Sequence, residues 1–252
     1  MADDLELLID LHQHGARQGP GGAKQTQLAV ALAQLQPSAD LRIADIGCGT
    51  GASTLVLAET LSAHITAVDL APAFLARLAA AAAQAGLSER ITTLAASMQA
   101  LPFAPGSFDA IWSEGAIYNV GFAAGVKAWR QFLKPNGILA VSELTWLTAE
   151  RPVELQAFWS EAYPEVDTAA AKMAVLESLG FSPMGYFALP EHCWLDNYYR
   201  PLQSRFPEFL ARHGHSHAAQ ALIEADEREI LLYERYKDFV SYGYYIARYV
   251  GV

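Results

Sequence analysis

The sequence predicts an α/β protein built on one mostly parallel sheet with helices on both faces. Three observations support this prediction. Apolar, strand-like segments alternate with helix-like segments along most of the chain. Strand–helix–strand units of this kind form right-handed crossovers between parallel strands. The 252 residues, 52% of them hydrophobic, suit a single α/β domain with an added element. Seven strands are predicted, at 41–46, 64–70, 91–96, 108–113, 138–143, 181–189 and 242–250.

Helical spacing of apolar residues predicts further elements at both ends of the chain. Two helices, at 3–14 and 25–35, precede the first strand, and two more, at 197–211 and 216–239, come just before the last. Without an internal repeat or a linker, we expect one domain. Its predicted parts are a helical cap at 1–37, a ligand-binding core at 41–189, a helical lid insertion at 190–240 and a final strand at 241–252.

The first strand runs into a glycine-rich turn, Asp45–Gly51, that leads into a helix. Glycine costs least where φ is positive and where a ligand lies against bare backbone, so three alternate glycines indicate a ligand. Two patterns fit: G-x-G-x-x-G/A of dinucleotide binders, through Gly47, Gly49 and Ala52, and D-x-G-x-G-x-G. Asp45 favours the second, because a carboxylate repels a pyrophosphate and suits a cationic ligand. A glycine turn without any ligand is the third alternative.

Asp69 ends the second strand where an acid of a βαβ unit accepts hydrogen bonds from both ribose hydroxyls. Asp69 therefore indicates a nucleoside ligand but does not say which one. Alternatively, the same acid could cap the helix that begins at Ala71-Pro72. The loop Arg17–Gly22 is either a hinge or a flap over the ligand. If it closes, Arg17 could pair with a carboxylate of the ligand.

Composition makes several classes of protein unfavourable. Seventeen basic against 27 acidic residues give a net charge of −10 without a basic run, which disfavours nucleic-acid partners. We also expect no membrane span, because no apolar run is long enough, and no signal peptide, because the N-terminus is acidic. Cys48 and Cys193 are expected to be free thiols in a cytoplasmic protein. His213–His217 is predicted to be a solvated turn with Ser216 as N-cap, rather than a metal site.

Further motifs resemble those of class I S-adenosylmethionine (SAM) methyltransferases of the kind found in ubiquinone and menaquinone biosynthesis. Leu101–Asp109 resembles the family's Leu-Pro-Phe to Ser-Phe-Asp connector, and Leu133–Gly137 resembles its Leu-Lys-Pro-Gly-Gly turn. Trp112–Asn119, Glu191–Trp194 and the tyrosine-rich last strand are similar to a bacterial subgroup of these enzymes, which brings no substrate with it. The resemblance implies a Rossmann-like fold, SAM as cofactor, and methyl transfer to oxygen, nitrogen or carbon of a small molecule.

The resemblance also implies how SAM would be held. Gly47, Gly49 and Gly51 would wrap the methionine part of SAM, and Asp69 would hold its ribose. Ser97 and Met98 would contact the adenine. Ser113 and Glu114 would meet the amino-acid end. Ser97 stands where the family usually has an acid. The full set of cofactor-binding candidates is Arg17, Asp45, Gly47, Gly49, Gly51, Asp69, Ser97, Met98, Ser113 and Glu114.

Catalytic residues are harder to predict, because methyl transfer begins with a good leaving group. Alignment supplies much of the acceleration, and a base is needed only for a protonated acceptor. Glu114 is the first candidate base, followed by Tyr118, Glu143 and His192. Each could equally have a binding or structural role.

Several aromatic residues could line a pocket for an aromatic, apolar or amine acceptor, or could simply pack the sheet and its lid. They are Trp112, Tyr118, Trp146, Trp194, Tyr198 and Tyr199. Two other functions stay open: methylation of a protein or RNA, and a module that binds SAM without turnover. The sequence does not determine the oligomeric state, and a homodimer is left open.

Overall fold

The computed structural model describes residues 2–251, and the side chains of residues 5–251. Its strands form one sheet and are β1 (Arg42–Ile46), β2 (His64–Asp69), β3 (Ile91–Ala95), β4 (Phe108–Glu114), β5 (Leu133–Trp146), β6 (Asp167–Thr168), β7 (Phe181–Ala188) and β8 (Val240–Tyr249). Met1, which belongs to the predicted cap, and Val252, which belongs to the predicted final segment, lie outside the described residues.

Seven long strands follow the order β3-β2-β1-β4-β5-β8-β7, and the short β6 pairs with β5 beside this path. β8 runs antiparallel to β5 and β7, whereas the pairs from β3 to β5 are parallel. The predicted mostly parallel, Rossmann-like sheet is therefore confirmed, with the two-residue β6 as an addition. Strand order reverses between β1 and β4, and α/β sheets bind ligands beyond the carboxyl ends of their strands at such a point.

The helices are α1 (Ala2–His12), α2 (Ala23–Ala33), α3 (Ala52–Leu61), α4 (Pro72–Gln84), α5 (Phe122–Trp129), α6 (Val153–Ala162), α7 (Ala169–Ser178), α8 (Glu191–Trp194), α9 (Arg200–Gln203), α10 (Phe206–Arg212) and α11 (His217–Tyr236). Ser216 caps α11, since its hydroxyl accepts the N–H of Ala219 at 3.3 Å, as predicted. Within residues 2–251, no helix is both long and apolar enough to cross a membrane.

The helices differ from the prediction at two places. The single helix expected at 197–211 is broken: a π-helical stretch at Leu195–Tyr199 leads into α9, and α10 starts separately. Pro201 and Pro207 occupy the first turns of α9 and α10, where a residue without an N–H begins a helix more readily than it continues one. α6 was not predicted, because only Leu155 and Trp159 give it a buried face.

The turn predicted at Lys134–Gly137 lies inside β5. Leu133 pairs with Phe108 and Ile138 with Ala110, so four residues of β5 oppose a single residue of β4. Such an irregularity bends a strand without ending it. β5 is therefore longer at both ends than the predicted 138–143.

Separate hydrophobic cores cover the two faces of the sheet. Neighbouring residues of β4 point to opposite faces, so Trp112 lies in one core and Ile111 in the other. The core around Trp112 also contains Leu11 and Val30 of the N-terminal helices and Trp194 of the insertion. The N-terminal segment and the insertion between β7 and β8 therefore share one side of the sheet.

Candidate functional site

A cavity of about 610 Å³ opens beyond the carboxyl ends of the central strands. The glycine turn, the ends of β2 and β4 and the segment after β3 form its floor, and the N-terminal segment and α11 form its other walls. Its polar and aromatic lining includes His12, Arg17, Gln18, Asp69, Ser97, Gln99, Glu114, Tyr118, Asn119, Tyr198, Asp226 and Glu229.

Every backbone N–H of the turn Gly47–Gly51 is already bonded within the protein. The first two donate to the carbonyl of Val68 at 2.8 and 3.0 Å. Gly49 donates to Oδ2 of Asp69 at 2.9 Å, and Thr50 to Oε1 of Gln18 at 2.8 Å. The last N–H donates within the turn at 2.9 Å. Within this turn no donor is left for a phosphate, unlike the free N–H groups of an anion-binding turn.

Gly47 shows how closely this turn is packed. Its φ is +76°, and a Cβ there would collide with Cβ of Ala116, which has no rotamer by which to move away.

Gly106 has a similar φ of +66°, but nothing lies within 4 Å of the position that a Cβ would occupy. We expect Gly106→Ala to cost about 1–2 kcal/mol from backbone strain alone. Gly47→Ala should cost about 1–3 kcal/mol more from overpacking. Urea denaturation of both variants checks this; equal losses would contradict it.

Asp69 both supports the turn and faces the cavity. Its Oδ2 accepts the N–H of Gly49 and its Oδ1 the N–H of Ala71, each at 2.9 Å. The second bond is the helix-capping role considered for this residue. Partial burial raises the pKa of Asp69, against the opposing effect of these N–H groups. Because a carboxylate oxygen has two acceptor sites, both oxygens can still accept bonds from a ligand.

Asp45, a predicted cofactor contact, lies behind the turn and outside the cavity. Its carboxylate is completely buried, and Oδ2 accepts the hydroxyls of Ser53 and Thr54 at 2.9 and 2.7 Å. Oδ1 has no partner among the described residues. Burial raises the pKa of Asp45 to about 7. Asp45 therefore connects β1 to α3.

The raised pKa of Asp45 makes stability depend on pH. The pKa of Asp45 is about 7 in the folded protein and 3.8 in the unfolded chain. The protonated carboxyl group therefore contributes its full stability below pH 3.8, and this contribution is lost as the pH rises through 7. From pH 6.5 to 8, we expect the wild type to lose about 1 kcal/mol more unfolding free energy than Asp45→Asn. Urea denaturation without ligand measures both slopes. Glu143 and Asp226 titrate in both proteins and cancel in the comparison, so equal slopes would contradict the prediction.

Two other predicted cofactor contacts also need correction. Gly51 has its open side against the side chain of Leu78, behind the turn. Ser113 is fully buried, and its hydroxyl donates to the carbonyl of Ile46 at 2.8 Å, which links β4 to β1. Both residues fix the shape of the site without lining it.

Glu114 is held by four hydrogen-bond donors. Oε1 accepts the hydroxyl of Thr26 at 2.6 Å, the hydroxyl of Tyr244 at 3.0 Å and the indole N–H of Trp112 at 3.1 Å. Oε2 accepts from Arg17 Nη1 at 3.1 Å. The ion pair is shielded, with side-chain exposures of 12% for Arg17 and 6% for Glu114. Oε1 is fully occupied and the one acceptor site left on Oε2 lies beside the guanidinium of Arg17, so the geometry favours an anchor over the predicted base.

The N-terminal loop lies over the glycine turn, which favours the flap over the hinge. Gln18 accepts the N–H of Thr50 at 2.8 Å, and its own amide donates to the hydroxyl of Thr50 at 3.0 Å. Asn197 of the insertion donates to the carbonyl of Gly21 at 2.7 Å. Arg17 borders the cavity from this loop.

Ser97 and Met98, the predicted adenine contacts, both line the cavity next to Asp69. Ser97 is exposed, and its Oγ accepts the N–H of Gln99 at 3.3 Å. Leu70, which is 61% exposed, lies on the same wall. The sequence could have predicted Leu70 as a lining residue, because it is an apolar residue that directly follows the acid at the end of β2.

Of the six aromatic residues considered for an acceptor pocket, only Tyr118 and Tyr198 line the cavity within the described chain. The other four are buried in the core because they pack the sheet against the insertion; they are Trp112, Trp146, Trp194 and Tyr199.

Two candidate catalytic residues lie away from the cavity. His192 is exposed on α8 and is not part of the lining. Glu143 is 1% exposed in a separate cluster, with Oε1 3.7 Å from Nζ of Lys172. Lys172 also lies 4.7 Å from the ring centroid of Phe122. Burial raises the pKa of Glu143 to about 7. Neither residue is placed to touch a ligand in the cavity.

The sequence patterns did not reveal Asp226 and Glu229, which bring two carboxylates into the cavity from α11. On this helix, Ile223, Ile230 and Tyr233 form a buried stripe, and both acids fall on the same stripe. The sequence could have predicted these two lining residues, because both are acids at core-facing positions of an amphipathic helix.

Comparison with known proteins identifies the central region. The family model described as a methyltransferase domain matches residues 43–137. A demethylmenaquinone methyltransferase of Corynebacterium urealyticum is 32% identical over 105 residues, which cover 41% of this chain and 42% of that protein. This chain spans about half, or less, of the length of the curated relatives it matches.

Two solved structures share the fold across nearly the whole chain. A SAM-dependent methyltransferase of Geobacter sulfurreducens, in complex with S-adenosyl-L-homocysteine, has a TM-score of 0.83 at 16% identity, and the match covers 96% of this chain and 97% of that one. The 4+2 cyclase SpnF has a TM-score of 0.75 at 22% identity and 98% and 93% coverage. These two structures share the fold with this chain, and the family match at residues 43–137 together with the demethylmenaquinone methyltransferase confirms the predicted resemblance to SAM-dependent methyltransferases.

Proposed function

We propose that this protein is a SAM-dependent methyltransferase that acts on a small-molecule acceptor. The observation that carries the proposal is the internally bonded turn Gly47–Gly51 next to the carboxylates of Asp69 and Glu114. A pyrophosphate needs free N–H groups or basic side chains, and this turn offers it neither. A ligand with a sulfonium and an ammonium group is attracted by the same surroundings.

The lining residues fit SAM in charge and in hydrogen-bonding type. Asp69 keeps acceptor sites for two ribose hydroxyls. Ser97 can accept from the exocyclic amine of adenine, and Met98 can pack on its ring. Arg17 suits the methionine carboxylate and Glu114 the ammonium group beside it.

When bound, SAM supplies an electrophilic methyl group on a good leaving group. The contribution of the protein is then to hold both reactants in line and to exclude water. α1, the loop around Gln18 and the helix α11 also line the cavity. We propose that Glu114 keeps this loop in place, and that Tyr118 borders the acceptor without the need for a fixed general base.

Two features support a small acceptor over a macromolecule. The cavity is walled by the N-terminal segment and the insertion, so a polypeptide or RNA would have to displace them. The net charge of −10 also opposes binding of RNA. The buried thiols of Cys48 and Cys193 are compatible with a cytoplasmic location, which we propose together with a single-domain organisation. A homodimer stays a prediction.

A second candidate is a reaction that uses this fold without methyl transfer. The match to the 4+2 cyclase covers 98% of this chain, so the fold alone does not select methyl transfer. A module that binds SAM without turnover belongs to the same alternative. Both predict that no labelled product forms, and the binding module also predicts that SAM binds.

Calorimetry with SAM and with NADH, followed by methyl-labelled SAM and a metabolite extract, tests the proposal. We expect SAM to bind, NADH not to bind, and label to move into an extractable small molecule. Tight binding of NADH without SAM would overturn the assignment. Binding of SAM without transfer would favour the second candidate, and label in protein or RNA would exclude a small acceptor.

A further inference from the structure

α11 presents two kinds of acidic residue. Glu224 and Glu227 are exposed, as expected for the outer face of a surface helix. Asp226 and Glu229 are half-buried and line the cavity, three residues apart and therefore neighbours on the inner face. Two neighbouring, partly buried carboxylates are unfavourable without compensation, because burial of an unpaired charge costs free energy.

Within the described chain, neither carboxylate has a cationic partner. Oδ2 of Asp226 is buried without any hydrogen-bond partner among residues 2–251. Oε1 of Glu229 accepts one hydroxyl, that of Tyr199, at 2.8 Å. Burial raises the pKa of Asp226 to about 7, with a further contribution from Glu229, and burial also raises the pKa of Glu229. Among the described residues, no positive charge compensates the pair.

The other charged residues of the cavity do not fill this role. Arg17 is paired with Glu114. The pKa of His12 is lowered to about 4 by burial and by the nearby Arg205, so its ring is neutral at pH 7. The described residues of the cavity therefore supply no cation for Asp226 and Glu229, and a bound ligand is the remaining source of one.

We propose that the methyl acceptor carries a positively charged amine, that Asp226 and Glu229 bind this amine as a recognition group, and that the methyl group goes to another atom of the acceptor that has a free lone pair. The inference rests on the proposed function and assigns the acceptor class for that same cavity. Tyr118 and Tyr198 line the cavity with these acids and offer aromatic faces on which a cationic nitrogen binds. With a neutral acceptor, only uptake of a proton or the positive charge of SAM would compensate the pair.

The test compares Asp226→Asn and Glu229→Gln with Glu227→Gln, an exposed acid of the same helix, as the matched control. Calorimetry measures the affinity of each protein for SAM and for S-adenosylhomocysteine, which lacks the charge on sulfur. Methyl-labelled SAM with a metabolite extract then yields the product, whose composition is read by mass spectrometry. We expect a product with a basic nitrogen and a loss of about tenfold or more in its rate of formation in the two inner variants, the effect of one charge-assisted hydrogen bond. S-adenosylhomocysteine affinity should stay unchanged.

Three results would overturn the inference: a labelled product without basic nitrogen, inner variants as active as Glu227→Gln, or a loss of affinity for SAM but not for S-adenosylhomocysteine. The last would assign the acids to the sulfonium group. Failure of the wild type to bind S-adenosylhomocysteine would instead overturn the proposed function, so the two failures are distinguishable.

Discussion

Asp69→Asn is expected to weaken the binding of SAM by about 100-fold or more. The proposed contacts are two hydrogen bonds from ribose hydroxyls to a charged carboxylate, each of which contributes about 1.5–3 kcal/mol. Asparagine also disrupts the apo site, because both carboxylate oxygens accept backbone N–H groups, from Gly49 and from Ala71. Whichever way the amide is oriented, its NH2 group faces one of these donors. Calorimetry with SAM and S-adenosylhomocysteine measures the loss.

Asp109→Asn is the matched control. Asp109 also accepts a backbone N–H, from Arg42 at 2.9 Å, and a second bond, from Nζ of Lys134 at 2.8 Å. It is the second residue of β4, at the end of the strand away from the cavity, so its replacement should affect stability and leave SAM affinity unchanged. If Asp69→Asn bound SAM within about twofold of the wild type while Asp109→Asn behaved as expected, the ribose assignment would be wrong.

Local patterns were sufficient to predict the floor of the site. The turn at Gly47 and the acid at Asp69 follow from a strand that ends in glycines and a second strand that ends in an acid. Both signals lie within short segments, and parallel crossover topology then places them at the same edge of the sheet. The topology does not say which way each side chain points, so Asp45 and Ser113 were expected in the cavity and lie behind it.

The contacts of Glu114 could not be predicted from local patterns. Its partners Arg17, Thr26 and Tyr244 are separated from it by 97, 88 and 130 residues. The predicted anchoring of a SAM carboxylate by Arg17 used only the position of a loop ahead of the first strand. That a buried carboxylate collects these donors depends on how the N-terminal helices and β8 pack on β4, which periodicity does not specify.

Glu114→Gln is expected to detach the N-terminal loop and to weaken SAM binding by about 10–100-fold. A glutamine that keeps its oxygen towards Thr26, Trp112 and Tyr244 turns its NH2 group towards the guanidinium of Arg17, so two donors face each other. Arg17 then loses its partner, and the loop that carries Gln18 loses its attachment to the sheet. The unfolding free energy should fall by about 2–4 kcal/mol, because a shielded ion pair is broken from one side.

A double-mutant cycle separates the anchor from the base. If Glu114 acts through Arg17, then Arg17→Ala, Glu114→Gln and the double variant should give a coupling free energy of about 1–3 kcal/mol in SAM binding, measured by calorimetry. Arg200→Ala serves as the control for loss of an arginine ion pair. Arg200 pairs with Asp196, and the two side chains are 63% and 52% exposed. This pair should contribute less than about 1 kcal/mol to the unfolding free energy. A base would behave differently: Glu114→Gln would then lower kcat steeply, leave the Kd for SAM unchanged and show no coupling to Arg17. The four donors on the carboxylate favour the first outcome, since an oxygen that holds a loop in place has little remaining capacity to accept a proton.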